Sequence, residues 1–362
     1  MRTVVATADA ITIKKQSAAL YKEIIPKSFF LSKFMGGEGS LKPINLLTDL
    51  EKDAGDSISY DLFMKIKGKG VEGDDLLRGK EEKLVWYTDT VLINQLRHGV
   101  DTGGKMSRKR TKHNLRNIAR DRLAGWWAER WDELIMVYMA GARGVDTTVY
   151  VLDSAFSSFA GNSLAAPDSD HILYGGDATS KASVDANDKF TMKAIDKAVA
   201  KANMLRPQIQ PCTVDGDEPH FCMLLHEWQV FDLRTDTSTG QWLDIQKAAA
   251  TKDGQKNPIF SGALGVYNNV VLHRHPKVPR FTDYGAGSNI AAARALFMGA
   301  QACVVAFGSP GDGLRFSWHE EMEDRGNVLV VDTGSIFGIK KCTFNSKDYG
   351  VIAVDTAAAQ PY

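Results

Sequence analysis

The chain has 362 residues, and its 44 Lys plus Arg balance 44 Asp plus Glu, so the formal net charge is zero. That length is enough for two domains, and the missing basic excess argues against a dedicated DNA-binding protein. Its four cysteines, Cys212, Cys222, Cys303 and Cys342, form no C-x-x-C pair, which favours reduced thiols and a cytosolic setting over a zinc site. The N-terminus lacks a signal-type apolar core, and no stretch reaches the roughly 20 apolar residues of a membrane span. A soluble protein with no membrane partner is expected.

Residues 1–45 contain one candidate helix, about Ile11 to Phe34, interrupted at Pro26 and followed by Gly36-Gly37-Glu38-Gly39. This reads as a terminal arm, poorly ordered unless something ties it down. Next come Ile58, Tyr60, Leu62, Met64 and Ile66, alternating with Ser59, Asp61, Phe63 and Lys65, a strand pattern. An extended run from Leu84 to Leu96 can return along it, with the charged, glycine-rich stretch 68–83 as the tip. The result is a two-stranded ribbon of about 30 Å per arm. An isolated ribbon is marginal in water, so it needs a surface to lie on, and a neighbouring copy is the preferred one.

Ser107 to Ala140 contains no proline and reads as one unbroken helix. At about 1.5 Å per residue it spans about 50 Å, against a mean globular helix of roughly 11 residues. Leu115, Ile118, Leu123, Trp126, Trp127, Trp131, Leu134, Ile135 and Tyr138 form its apolar stripe. Arg108, Lys109, Arg110, Lys112, Arg116, Arg120 and Arg122 crowd its start, while Glu129, Asp132 and Glu133 come later, an order that opposes the helix dipole. The readings are a solvated face, an acidic protein partner, or a polyanion such as nucleic acid. Gly141-Ala142-Arg143-Gly144 supplies the stop.

Residues 145–186 read as connection with some strand, followed by a helix from about Ala186 to Leu205 with Phe190, Met192, Ile195, Val199 and Met204 as apolar positions. His220 to Leu233 begins a second domain with a buried strand. A helix at Gly240–Thr251, a strand region at Ala263–His275 and a small-residue helix at Asn289–Ala302 follow. Asn327–Val331, Gly338–Phe344 and Tyr349–Val354 close the chain as extended pieces.

Catalytic motifs are thin. Val330-Val331-Asp332-Thr333-Gly334-Ser335 resembles one half of an aspartic protease site, whose chemistry needs a second aspartate that the sequence does not repeat. Gly285-Ala286-Gly287-Ser288-Asn289-Ile290-Ala291 fits G-x-G-x-x-A, but the residues before it do not read as a buried parallel strand. His273, His275 and His319 with Glu320 and Glu321 could hold a metal only if folding gathers them. His226-Glu227 reads better as a satisfied core histidine than as an acid–base pair. No enzyme activity, cofactor or metal is therefore expected.

Several segments in order carry a resemblance to a known family. They are Val91-Leu92-Ile93-Asn94-Gln95-Leu96-Arg97-His98, Gly103-Gly104-Lys105-Met106-Ser107 with Arg110-Thr111, and Asn257 through Tyr267 with Val271-Leu272-His273. Ala293-Arg294-Ala295-Leu296, Gly299-Ala300-Gln301-Ala302 and Lys347-Asp348-Tyr349-Gly350-Val351 follow. Across residues 85–355 the chain resembles the major capsid proteins of tailed bacteriophages with the Hong Kong 97-type fold.

The resemblance implies an α+β chain with an N-terminal arm at 1–45 and an extended β-hairpin loop at 53–98. A peripheral domain with the spine helix would occupy 99–186 plus 336–362, and a mixed α/β axial domain 187–335. It implies hexamers and pentamers of the chain closing an icosahedral head around double-stranded DNA, which would face the inner surface without sequence specificity. A portal protein, a separate scaffold and a cement or decoration protein are the further partners it implies, with assembly in the host bacterial cytoplasm. Candidate contacts between subunits are Asp74, Asp75, Glu81 and Glu82 at the ribbon tip, facing Arg108, Lys109, Arg110 and Arg116 of a neighbour. The alternatives are a nucleic-acid-binding protein using the basic helix 108–122, or a hydrolase at Asp332.

Overall fold

A computed structural model describes residues 20–51, 54–145, 150–213, 219–236, 265–309 and 314–362. The expected helix at Gly240–Thr251 and the first 19 residues of the arm lie outside the described residues.

Two sheets organise the chain. The first has six strands: β1 (Met35–Gly36), β2 (Ile44–Leu47), β5 (Asn94–Gly104), β14 (Cys303–Gly308), β15 (Phe316–Glu323) and β16 (Val328–Lys341). β16 is its axis, pairing antiparallel with β14, β15 and β5. It joins into one strand two of the extended pieces read separately from the sequence. The ribbon is β3 (Ser57–Phe63) with β4 (Trp86–Leu92), in register from Ser57 opposite Leu92 to Phe63 opposite Trp86. Seven residues per strand make it about 23 Å long, shorter than expected. Past Ile93 the chain leaves the ribbon and enters the first sheet as β5.

The second sheet has seven strands: β8 (Ile172–Tyr174), β9 (Phe221–Leu225), β10 (Gly265–Tyr267), β11 (Val270–Arg274), β12 (Arg280–Tyr284), β13 (Ile290–Met298) and β19 (Val351–Ala357). Short hairpins, β6 (Ser158–Phe159) with β7 (Asn162–Ser163) and β17 (Thr343–Phe344) with β18 (Lys347–Asp348), complete the strands. β13 corrects the small-residue helix expected at Asn289–Ala302. Ala295 and Phe297 face one buried layer, Leu296 and Met298 the other, so both faces are apolar and the strand reads as a continuous run without alternation.

Among the described residues, besides a helical stretch at 20–24, the α-helices are α1 (Phe29–Lys33), α2 (Lys105–Arg110), α3 (Leu115–Ala140), α4 (Met192–Met204) and α5 (Glu227–Thr235). The expected unbroken helix from Ser107 is broken at 111–114, and α3 is about 39 Å long. Asn114 starts it afresh: its side chain accepts from the Asn117 amide, a capping bond that ends continuity with α2. Gly141, at φ 68°, ends it as expected. α4 begins at Met192 rather than Ala186, and Met204 is 76 % exposed rather than a core position.

Every residue from Trp131 to Ala140 is buried, because that half of α3 lies between the two sheets. Trp131 stacks on Phe307 and meets Phe337, with centroids 5.1 and 4.2 Å away. The Trp127 indole donates to Thr333 Oγ1 at 2.8 Å. At the other end Arg294 of the second sheet donates to the Ala140 carbonyl at 2.8 Å. α4 and α5 cover the opposite face of the second sheet.

The described part of the arm is tied down. Leu20, Ile24, Phe30 and Phe34 are buried in the same core as α3, and β2 pairs in parallel with β14. The boundary expected at 335/336 cuts through β16. Sheet membership puts β14, β15 and β16 together in the first sheet, and β19 in the second.

Candidate assembly surfaces

The ribbon is anchored at its base and, among the described residues, exposed beyond it. Ile58 and Val91 are buried against Val304, Ala306 and Phe344 of the same chain, with Tyr60 and Leu62 packed alongside. Asn162 clips the last ribbon residue from both sides, accepting from the Leu92 amide at 3.0 Å and donating to its carbonyl at 2.8 Å. Asp89 accepts from Tyr60 Oη at 2.7 Å and Lys340 Nζ at 2.5 Å. Further out, Phe63, Ile66, Leu76, Leu77, Leu84, Val85 and Trp86 are all exposed.

The tip acids serve the tip first. Glu82 accepts from the Lys67 amide at 2.8 Å and from Gly68, and Glu81 from the Gly79 amide at 2.6 Å. Asp75 pairs with Lys80 at 3.0 Å, with both groups mostly exposed, and Asp74 is exposed. These local bonds shape the turn.

The basic run has a different meaning once the helix is broken. Arg108, Lys109 and Arg110 close α2 instead of opening α3, so they complement its dipole. Arg108 also donates to the Asn327 carbonyl at 2.9 Å. Arg116 pairs with Glu320 at 2.6 Å and Arg120 with Glu23 at 3.0 Å, so other segments of the same chain answer the start of α3. Lys105, Lys109, Arg110 and Lys112 stay exposed.

The later acids of α3 hold the fold together. Asp132 takes the Ser28 hydroxyl at 2.6 Å and the Phe29 and Phe30 amides at 2.9 and 3.2 Å, capping α1. Burial pushes its carboxyl above the usual range, against the pull of these bonds. Glu133, fully buried, accepts from the Val151 and Leu152 amides and pairs with Lys277 at 2.7 Å. In the second sheet, Arg294 grips Asp355 through two nitrogens at 2.7 and 2.8 Å, and Tyr284 donates to the same carboxylate at 2.5 Å.

The remaining motifs have the following surroundings. Asp332 lines a cleft of about 440 Å³ with Arg97, His98 and His319, and no second aspartate lines it. Gly285 to Ser288 turn the β12–β13 hairpin, so no helix follows to meet a nucleotide. His273 and His275 pack against Phe29, and burial holds both near pKa 4. His226 is the N-cap of α5, also lowered to about 4 by burial. His319 meets only exposed Glu321, at 3.8 Å, among the proposed metal groups.

One constellation escaped the sequence reading: Cys212, His220 and Cys222 place one ligand atom each within 4.8 Å of one another. The signal was the spacing C-x7-H-x-C, legible only once residue 212 is known to pair with residue 220.

Among the described residues no helix is long and apolar enough to cross a membrane. A family model described as phage capsid protein matches residues 4–360. The major capsid protein of Pseudomonas phage KPP25 is 28 % identical over 91 % of each chain. The capsid protein of Ralstonia phage GP4 is 44 % identical, with a TM-score of 0.84 over 100 % of this chain and 96 % of that one. The cyanophage Pam1 capsid shares the fold at 24 % identity, TM-score 0.73, over 99 % and 97 % of the two chains. With its spine helix between two sheets and its projecting ribbon, the chain belongs to the phage capsid protein family, as a major capsid protein of the Hong Kong 97-type fold.

Proposed function

We propose that copies of this chain form hexamers and pentamers that close the icosahedral head of a tailed phage around double-stranded DNA. The observation that carries this is the ribbon: a pinned base followed by seven large apolar residues that stand exposed among the described residues. Isolated apolar side chains are ordinary on a surface, but a row of them on a projecting hairpin marks an interaction site. A second copy is the partner that symmetry supplies in quantity.

In this reading the first sheet and α3 form the peripheral domain, and the second sheet with α4 and α5 the axial domain. The ribbon tip, with Asp74, Asp75, Glu81 and Glu82, lies over a neighbour's Lys109 and Arg110, while Arg108 and Arg116 divide their charge between chains. A portal and a separate scaffold nucleate the shell in the host cytoplasm, and a decoration protein has the outer surface available. The subunit acts by assembly energetics, many modest contacts multiplied by symmetry, and needs no catalytic group.

The test is electron microscopy with sizing of the purified full chain, with and without scaffold. Closed shells, tubes or six-fold rings are expected. A chain that stays monomeric under every condition would overturn the proposal. Charge reversal at Arg108, Lys109 and Arg110 together is expected to weaken assembly and its salt tolerance. Intact shells with impaired DNA packaging would instead place these groups against the genome.

A further inference from the structure

The pairing of residues 212 and 220 has chemical consequences. Cys212 and His220 are joined as an antiparallel bridge, the amide of each donating to the carbonyl of the other at 2.7 and 2.9 Å. Residues directly opposite in such a bridge send their side chains to the same face. Cys222 is two residues past His220 along the strand, and a period of two returns it to that face. Topology alone therefore brings two thiols and one imidazole together.

The distances match a known coordination geometry. Cys212 Sγ and Cys222 Sγ are 3.5 Å apart. Two thiolates on one tetrahedral zinc, each at about 2.3 Å, are separated by about 3.8 Å, so a few tenths of an ångström of adjustment suffices. A disulfide needs about 2.05 Å and would leave the imidazole without a purpose in the cluster. Both cysteines are buried, while His220 is half-buried, which leaves a fourth position on the solvent side. Thiolate with imidazole is a borderline-soft set that selects zinc over magnesium or calcium.

We propose that Cys212, His220 and Cys222 form a zinc site, with three protein ligands and water in the fourth position. Both thiols give up their protons to solvent on binding, and no electron is transferred. The site lies where the two halves of the molecule meet. Thr213 donates to the Leu41 carbonyl and Ala300 to the Gln210 carbonyl, while Cys222 sits on β9 in the second sheet. A metal there ties the segment leading from α4 to the second sheet, beside the strands that enter the first.

The probe is zinc itself, followed by cobalt substitution in the full-length chain purified under reducing conditions without chelator. About one zinc per chain is expected by dye release, and a near-ultraviolet sulfur-to-cobalt charge-transfer band in the cobalt form. His220→Ala, which keeps both buried thiols, should weaken zinc affinity by at least the roughly 10-fold to 100-fold that loss of an outer-shell partner costs. Cys222→Ser should remove the band. The proposal fails if the folded wild-type chain binds no more zinc than H220A with all its thiols titratable after denaturation. It fails equally if mass spectrometry finds Cys212 joined to Cys222 as a disulfide in the reduced preparation.

Discussion

The two ends of the spine helix region treat charge in opposite ways from the ribbon tip. In the second half of α3, Asp132 and Glu133 are buried and spent inside the chain: Asp132 on the arm, Glu133 on Lys277 and two amides. At the tip, acids are exposed and shape only their own turn, and large apolar side chains stand in solvent. The core is complete in one copy, and the ribbon is complete only at its base. On the proposed reading, folding and assembly information occupy different residues, and substitutions should separate them.

The widest separation is expected from Asp355→Ala, which leaves the Arg294 guanidinium buried beside Tyr284. Breaking one side of a buried pair costs about 3–5 kcal/mol. A denaturant midpoint on the full chain should show a loss of that size, and folded protein should become scarce before any assembly step.

Acid comes next. His226, His273 and His275 have folded values of about 4 against an ordinary 6.5. Between those values the unfolded chain binds more protons, so stability falls as pH drops from 6.5 towards 4 and is restored above 6.5. Replacing all three with glutamine should flatten that slope in pH-dependent unfolding. A slope left unchanged would show that other groups set the acid limit.

Asn114→Ala removes the cap that restarts α3 and should cost about 1 kcal/mol, read as a lowered unfolding midpoint. The smallest effect on the fold is expected at the tip. Leu76→Ser with Leu77→Ser, at positions 79 % and 59 % exposed, should alter stability by no more than about 0.5 kcal/mol, yet reduce shell yield in sedimentation assays. Loss of folded protein in that double variant would erase the contrast.

The same contrast governs what could be read from the sequence. The ribbon was legible because alternation is local: Ile58, Tyr60 and Leu62 turn inward and Ser59 and Asp61 outward. The stop at Gly141 was legible for the same reason. β13 was not, since IAAARALFM is a good helix former, and only the layers on both sides make it a strand. Its Arg294 finds Asp355 more than sixty positions along the chain, a distance no window spans. The restart of α3 at Asn114 was not read, because the proline-free run continues across it. Of the candidate contacts, Arg116 also pairs with Glu320 of its own chain, 204 residues away.

β19 lies inside the second sheet, antiparallel to β13 and parallel to β8, and it is the last of the seven strands to be synthesised. A ribosome therefore delivers a sheet with a vacant lane that only this late segment can fill. A polypeptide released early would carry an intact ribbon but an unfinished half, with the flanks of β13 and β8 unpaired. Translation order thus acts as an inspection step, withholding a complete second sheet until Ala357 has been added.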